Sequence, residues 1–182
     1  MKANSKTRCA WANSSELMAI YHDTEWGVPV HDDRLLFEML NLEGAQAGLS
    51  WLTILTRRNG YRTAFDNFDS GKIAQYDENK RATLLQDSGI IRNRLKINAV
   101  IENAKSALVA KENHGSLDAY LWSFVLGKQL THADEVEATE ISKKMSKDLK
   151  KNDFRFVGPT TCFAFMQAVG MVNDHSPECF RA

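Results

Sequence analysis

The feature that most constrains this chain is one acidic residue on an otherwise apolar helical face. The spacing of a single α-helical face is met by Leu36, Leu40, Glu43 and Ala47. Burying the Glu43 carboxylate there is costly unless something compensates its charge. Two interpretations remain open. Either an arginine or backbone amides satisfy Glu43 within the fold, or Glu43 lines a pocket for a ligand that brings a donor or a positive charge.

Residues 41–51 predict the end of that helix, a tight turn at Gly48 and a new helix beginning at Ser50. Leu49 and Trp51 follow the turn closely enough to wall the same pocket. Further aromatic side chains are supplied by Trp11, Tyr21 and Trp26. Core packing is their ordinary role, but most of these aromatics stand in polar, loop-like stretches. Aromatic walls around a buried carboxylate suit a flat cationic heterocycle.

Length and composition exclude several classes of protein. A chain of 182 residues with 43% hydrophobic residues fits one domain over residues 1–182, possibly with two helical lobes and a cleft between them. Basic and acidic residues balance at 23 each, so a nucleic acid would have to be held by a local basic patch. The sequence has no apolar run long enough for a membrane span and no secretory signal, which favours the cytoplasm.

The apolar periodicity predicts an all-α fold, because polar and apolar residues nowhere alternate over more than four positions. A helix capped by Ser14 or Ser15 is expected first, then one beginning at Asp32 or Asp33, then one over 51–58 that Gly60 ends. Residues 127–138 are polar and irregular and predict a mobile loop. Later helices are expected at 70–76, 77–87, 93–113, 117–125, 140–151 and 159–171.

The segment around Gly158 indicates a DNA-backbone contact. Gly158 permits a tight turn, Pro159 fits the first helical position, and the free N–H groups that follow, at Thr160 and Thr161, form a seat for phosphate. A run of basic residues precedes this segment: Lys143, Lys144, Lys147, Lys150, Lys151 and Arg155. The pattern is typical of a helix-hairpin-helix element, although an ordinary helix start beside a solvated lysine face has the same appearance.

Four residues from the two ends of the chain offer metal ligands: Cys9, His22, His175 and Cys179. His175 and Cys179 have i, i+4 spacing, which brings them together if that turn is helical. Two cysteines and two histidines form a closed tetrahedral zinc set with a structural role. A Cys9–Cys179 disulfide and unrelated buried side chains are the alternatives. Cys162 lies in an apolar helix and is expected in the core.

Several blocks of sequence together resemble the bacterial 3-methyladenine DNA glycosylase I family. The blocks are YHDTEWGVP at 21–29, LEGAQAGLSW at 42–51, GIIR at 89–92, FVG at 156–158, FMQA at 165–168 and VNDH at 172–175. The resemblance runs from Cys9 to Cys179. It implies a helical bundle similar to other helix-hairpin-helix glycosylases, excision of 3-methyladenine from alkylated double-stranded DNA by a monomer, and one structural zinc ion that joins the chain termini.

The resemblance also assigns roles to residues by position. Cys9, His22, His175 and Cys179 match the zinc ligands. Glu43 and Tyr21 match the pair that recognises the base, and Trp11 and Trp51 match stacking residues. Gly48 and Leu49 fall where the family wedges the DNA. The chain lacks the longer cysteine-rich tail of some relatives. Asp174 lies near the catalytic aspartate position of the wider superfamily, but the family is understood to work without that residue, so a structural role is favoured.

These assignments imply a mechanism in which the lesion supplies much of the reactivity. Methylation at N3 leaves adenine cationic, so its glycosidic bond is already weak. The enzyme must extract the nucleotide from the duplex, stack the base between aromatic walls, and bind its edge through Glu43 while water displaces it. The rival hypotheses are a glycosylase with another base specificity, a non-catalytic zinc-stapled DNA-binding module, and a small-molecule-binding protein of the same fold.

Overall fold

The computed structural model of the chain describes residues 6–131 and 134–182. Within these residues the secondary structure is dominated by α-helices, which confirms the predicted fold class. The helices are α1 (Glu16–Thr24), α2 (Asp33–Ala45), α3 (Trp51–Leu55), α4 (Arg58–Ala64), α5 (Ser70–Ile73), α6 (Glu78–Gln86), α7 (Arg94–His114), α8 (Leu117–Trp122), α9 (Glu135–Lys151) and α10 (Pro159–Ala168). Short 3-10 turns occupy Ala10–Ser14, Asp66–Phe68 and Ser123–Val125.

Two short strands form the β-structure within the described residues. Strand β1 (Leu130–Thr131) pairs in parallel with β2 (Val172–Asn173), so that Leu130 faces Val172. The predicted loop at 127–138 is therefore partly wrong, because it contains β1 and the first turn of α9. Residues 132 and 133 of that loop lie outside the described residues. This pairing could not be predicted from the sequence, because a two-residue strand is too short to show alternating polar and apolar residues.

Helix α2 is the centre of the fold. Ten consecutive residues, 36–45, are buried, and α7, α8 and α10 all pack against this helix. Asp32 begins it, since its side chain accepts a hydrogen bond from the Leu35 N–H at 2.8 Å. The predicted apolar face is correct for Leu36, Leu40 and Glu43. Ala47 is exposed instead, because the helix has already ended before that residue.

Most predicted helix starts are confirmed because they depend on local capping. Ser15 accepts a hydrogen bond from Met18 N, and Ser50 accepts one from Thr53 N, both at 3.2 Å. Asn93 caps α7 through the N–H groups of Leu95 and Lys96. These bonds join residues two or three positions apart, so the sequence alone is sufficient to locate them.

Gly60 does not end a helix, contrary to the expectation from sequence. Helix α3 stops at Leu55, and Gly60 lies within α4. A Cβ added to Gly60 would lie 2.3 Å from the carbonyl oxygen of Gly89. Glycine is therefore required at position 60 by close packing of two backbone segments that are distant in sequence, which a search for local helix stops cannot detect.

The turn between α9 and α10 forms a hairpin, and its backbone differs from the expected one. The left-handed positions are Asp153, with φ of 62°, and Phe156, with φ of 55°. Gly158 has an extended backbone with φ of −64°, so no positive φ requires a glycine there. Pro159 occupies the first turn of α10 as predicted, and no side chain caps that helix.

Two buried asparagines connect this hairpin to α2. Asn103 donates from Nδ2 to Asn41 Oδ1 at 2.9 Å and to the Arg155 carbonyl at 3.2 Å. The Arg155 N–H donates back to Asn103 Oδ1 at 2.6 Å. Phe156 also lies close to Gly44, where an added Cβ would come within 3.1 Å of it. The hairpin turn is thus held directly against the helix that carries Glu43.

The helices of the described residues include none that is both long enough and apolar enough to cross a membrane.

Replacing Gly60 with alanine tests the packing explanation. Alanine in a helix is normally favoured over glycine by about 1 kcal/mol. Here the clash with the Gly89 carbonyl should instead destabilise the fold by about 1–3 kcal/mol, measured by chemical denaturation. Gly71→Ala in α5 is the matched control, because its nearest neighbour is the flexible Asp69 side chain at 3.3 Å. An equal change in the free energy of unfolding for Gly60→Ala and Gly71→Ala would contradict the packing explanation.

Candidate functional site

A cavity of about 740 Å³ opens between the N-terminal segment, α1, α2, α3 and α10. It is large enough for a nucleobase, and its exposed walls are mainly apolar and aromatic. The residues that line it are Cys9, Ala10, Trp11, Met18, Tyr21, Trp26, Glu43, Gln46, Trp51, Ala164, Gln167, Asp174, Ser176 and Pro177. The cavity thus gathers Glu43 and all four aromatic side chains selected from the sequence.

Glu43 is buried in the wall of this cavity, with 6% of its surface exposed. Within the described residues its carboxylate has no hydrogen bond and no ion pair. Burial raises the pKa of Glu43 to about 8. Arg58, the buried arginine of the described residues, is paired with Glu25 and Glu38 instead. The structure therefore favours the pocket interpretation of Glu43 over the internally satisfied one.

The aromatic side chains form a connected wall. The Trp11 ring centroid lies 5.0 Å from that of Trp26 and 6.4 Å from that of Tyr21. Tyr21 in turn lies 5.4 Å from Trp51, measured between centroids. Tyr21 is almost fully buried, and burial together with the nearby Glu43 raises its pKa well above the usual value. The indole Nε1 of Trp51 is buried without an acceptor among the described residues.

Helix α10 supplies cavity residues that the sequence analysis did not select. Ala164 and Gln167 lie one turn apart on the helix face that meets the cavity. Gln167 Nε2 donates to Asp174 Oδ2 at 2.5 Å, which fixes two polar side chains in the wall. Gln46, from the end of α2, is a further lining residue. Both glutamines lie in sequence blocks that carry the family resemblance. Their place in those blocks is the sequence signal that could have identified them as cavity residues.

The turn after α2 stands at the mouth of the cavity. Gly48 has φ of 75°, which confirms the predicted tight turn. A Cβ on Gly48 would meet nothing within 4 Å, and Leu49 is 38% exposed. Gln46 and Trp51, on either side of this turn, line the cavity, but Gly48 and Leu49 do not. The two residues therefore project from the rim, and the expected pocket wall at Leu49 is wrong.

The four candidate metal ligands come together in a buried cluster. The ligand atoms of Cys9, His22, His175 and Cys179 all lie within 4.8 Å of one another. Cys179 Sγ lies 3.4 Å from His22 Nε2 and 3.5 Å from His175 Nδ1, while Cys9 Sγ lies 3.6 Å from His175 Nδ1. A tetrahedral zinc with ordinary bond lengths places neighbouring sulfur and nitrogen ligands about 3.5 Å apart. The donor set fits a metal ion.

The surroundings of the cluster orient its histidines. His22 Nδ1 lies 2.9 Å from Asp23 Oδ1, and His175 Nε2 lies 3.2 Å from the Trp26 carbonyl. Each ring therefore turns its other nitrogen toward the cysteines. Hydrogen bonding from Arg8 lowers the pKa of Asp23, which keeps that carboxylate anionic.

The alternatives to a metal site lose support. Both thiols, Cys9 and Cys179, are free, so the alternative disulfide is not formed. A turn brings His175 and Cys179 together, with the Cys179 N–H donating to the Ser176 carbonyl at 2.8 Å, rather than an α-helix. Cys162 lies in the core as expected, and burial raises its pKa to about 12.

The hairpin residues lie on a separate, exposed part of the surface. Thr160 is exposed and Thr161 is half-buried at the start of α10. A Cβ on Gly158 would meet nothing within 4 Å, so the fold itself does not demand glycine there. The lysines of α9 are exposed, and one of them, Lys143, pairs with Glu140 at 2.7 Å.

Comparison with known proteins gives consistent matches over nearly the whole chain. The family model described as methyladenine glycosylase matches residues 11–182. The chain is 47% identical over 177 residues to the DNA-3-methyladenine glycosylase 1 of Escherichia coli strain K12, covering 94% of this chain and 95% of that protein. It is 43% identical to the DNA-3-methyladenine glycosylase of Haemophilus influenzae, with coverage of 95% and 96%.

Solved structures show the same relationship. A crystal structure of 3-methyladenine DNA glycosylase I matches with a TM-score of 0.89 and 48% identity, covering 96% of this chain and 98% of that one. The Staphylococcus aureus 3-methyladenine DNA glycosylase I, whose structure describes recognition of 3-methyladenine, matches with a TM-score of 0.90 and 35% identity, with coverage of 96% and 95%.

The raised pKa of Glu43 predicts an unusual dependence of stability on pH. The folded chain keeps its proton up to about pH 8, whereas an ordinary glutamate titrates near 4.5. The stability of the native chain relative to Glu43→Gln should thus be greatest below pH 4.5 and fall as the pH rises through 8. Urea denaturation over this range measures it. Glu112→Gln, at an exposed glutamate, is the control, and parallel curves for both variants would contradict the prediction.

Proposed function

The chain belongs to the methyladenine glycosylase family, and from this premise we propose how its cavity excises 3-methyladenine from alkylated double-stranded DNA. The observation that carries the proposal is the buried Glu43 carboxylate, which has no partner among the described residues and lies in a cavity walled by aromatic rings. A structural glutamate would have a partner, and a DNA-binding module without activity would need neither the carboxylate nor the cavity. A cationic heterocycle would pair with the carboxylate and stack on the aromatic walls.

Glu43 distinguishes the lesion from normal adenine by charge. Because its pKa is raised to about 8, the empty cavity holds a largely neutral carboxylic acid at pH 7. Entry of a cationic base favours the ionised form, since an opposite charge nearby lowers the pKa of an acid. Glu43 releases its proton to solvent water at the open cavity, and the carboxylate then accepts hydrogen bonds from the edge of the base. Neutral adenine provides no such charge and gains less.

The aromatic wall and the lesion itself supply the rest of the chemistry. Trp11 and Trp51 offer faces on which a flipped base stacks, and Tyr21 lies between them with a hydroxyl beside Glu43. The glycosidic bond of a cationic purine is already weak, so retention of the base and access of water suffice for hydrolysis. Asp174, bonded to Gln167 and next to His175, keeps a structural role.

The exposed turn and the hairpin bind the DNA around the cavity. Gly48 and Leu49 project from the cavity rim and would enter the duplex where the lesion leaves it. Gly158, Thr160 and Thr161 begin α10, whose uncapped N-terminus offers N–H groups to a phosphate. The open space at Gly158 lets a DNA backbone approach closely. One monomer, folded as a single domain, provides all of these surfaces.

The buried cluster binds one structural zinc ion. Cys9, His22, His175 and Cys179 supply two sulfur and two nitrogen ligands, which complete a tetrahedral coordination sphere and leave no position for substrate. The metal contributes folding energy by joining the two ends of the chain. It also stabilises the cavity, because Cys9 and Ser176 lie in its wall.

A pair of variants tests the proposed function. Glu43→Gln should lower single-turnover release of 3-methyladenine from alkylated duplex DNA by about tenfold to a thousandfold, and should weaken binding of free 3-methyladenine. Gly158→Val should weaken duplex binding and reduce its salt dependence, but leave free-base binding unchanged. Chromatography of released bases and calorimetry with the free base provide the measurements.

The two variants separate the base site from the DNA-backbone site. Unaltered excision by Glu43→Gln, with a large loss of stability, would return Glu43 to a structural role. If Gly158→Val also weakens binding of the free base, the substitution has disturbed the cavity, and the loss of duplex binding cannot be assigned to a lost DNA contact. Gly158 has a negative φ and open space around it, so valine is compatible with the folded backbone.

Metal content tests the zinc assignment. Purified protein should contain about one zinc per chain, and Cys9→Ala or His175→Ala should lose it and lower the melting temperature by about 10 °C or more. Cys162→Ala is the matched control, since it removes a buried cysteine outside the cluster and should keep the metal. Elemental analysis that finds no metal in the native chain would refute the assignment.

A further inference from the structure

The ammonium group of Lys96 lies between two backbone carbonyls at the end of α2. Its Nζ donates to the Ala45 carbonyl at 2.8 Å and to the Ala47 carbonyl at 2.7 Å. Lys96 is 51 and 49 residues away from these partners in sequence, so this contact joins two separate parts of the chain. No role for Lys96 follows from the cavity, the hairpin or the metal cluster.

The Ala45 carbonyl ends α2, and the Ala47 carbonyl lies in the turn that follows it and projects from the cavity rim. Residues 46–49 run from a cavity residue, Gln46, to the exposed Leu49. Within the turn the Leu49 N–H donates to the Gln46 carbonyl at 2.6 Å, and Gly48 adopts a left-handed backbone. The tip is open to solvent on the Gly48 side, because a Cβ on Gly48 would meet no described atom within 4 Å, and Leu49 is 38% exposed.

Lys96 anchors this turn to α7 through the two carbonyls. The last carbonyls of a helix have no partner within the helix and carry partial negative charge, so a cation there is favourable. Lys96 itself stands on a rigid base, because Ile97, Val100 and Ile101 of α7 are buried in the core. A charge-assisted contact of this kind fixes the geometry of a turn more firmly than a neutral hydrogen bond.

We propose that Lys96 is a positioning residue that holds the Gly48–Leu49 turn in the geometry needed to open paired DNA. The proposal rests on the proposed function, in which this turn enters the duplex. It assigns Lys96 a task in base extrusion and none in chemistry at the glycosidic bond. A lesion that is already unpaired needs no wedge, so its excision should depend little on Lys96.

The experiment compares one lesion in two contexts. An oligonucleotide that contains a single adenine is methylated and then annealed either to its full complement or to a strand that leaves the lesion in an unpaired bubble. Lys96→Met should lower single-turnover release of 3-methyladenine from the paired duplex about tenfold or more. Release from the bubble should change by less than about twofold, because the flanking duplex and the cavity are unaltered.

Three further variants make the result specific. Lys96→Arg keeps a cationic donor and should retain most of the activity on the paired duplex. Lys105→Met, on the same helix but paired with Glu102 at 2.9 Å, is the matched control and should behave as the native chain on both substrates. Lys96→Gln is the second loss variant if Lys96→Met does not fold, as judged by thermal unfolding.

The outcomes separate this inference from the function on which it rests. Equal loss on both substrates, or no loss on either, would overturn the role of Lys96 while leaving the glycosylase activity in place. Absence of base release by the native chain, even from the bubble, would remove the proposed function and this inference with it. A loss confined to the paired duplex and restored by arginine supports the proposal.

Discussion

The desolvation of one carboxylate is the constraint on which the site depends. Glu43 sits in the most buried helix of the fold, where losing water raises its pKa to about 8 and no group of the described residues compensates it. The fold tolerates this cost because the same helix buries ten residues in a row against α7, α8 and α10. Arg58 could have neutralised Glu43, but Glu25 and Glu38 hold it elsewhere. The Glu43 carboxyl group is thereby left without an internal partner among the described residues.

The metal cluster and the cavity are coupled by short stretches of chain. Cys9 lies two residues before Trp11, His22 follows Tyr21, and His175 follows Asp174. Three of the four metal ligands therefore adjoin a residue of the cavity wall, and Cys9 itself belongs to that wall. The zinc ion that we propose would therefore also help to position the aromatic rings about Glu43. On this proposal, loss of the metal should affect the base site as well as stability.

A second set of contacts fixes the hairpin turn and the rim turn in place within the fold. The two buried asparagines tie the hairpin turn to α2, and Lys96 ties the rim turn to α7. Each contact joins segments about fifty residues or more apart in sequence. The asparagine contact reaches α2 at the Asn41 side chain, and the Lys96 contact reaches the carbonyls at and just after the end of α2. Helix α2 thus carries Glu43 and also lies beside both turns for which we propose contacts with DNA.

The sequence by itself determined what depends on neighbouring residues: helix starts at Ser14 or Ser15, at Asp32 or Asp33 and at Ser50, the turn at Gly48, and the apolar face that made Glu43 conspicuous. These are interactions over a few positions, so local chemistry is sufficient. Tertiary structure decided the rest. Only packing showed that Gly60 serves a backbone contact with Gly89 instead of a helix stop, and that Leu49 projects from the rim instead of walling the pocket. The metal ligands and the lone carboxylate could be proposed from residue type, but their convergence depends on contacts between distant segments, which no local pattern records.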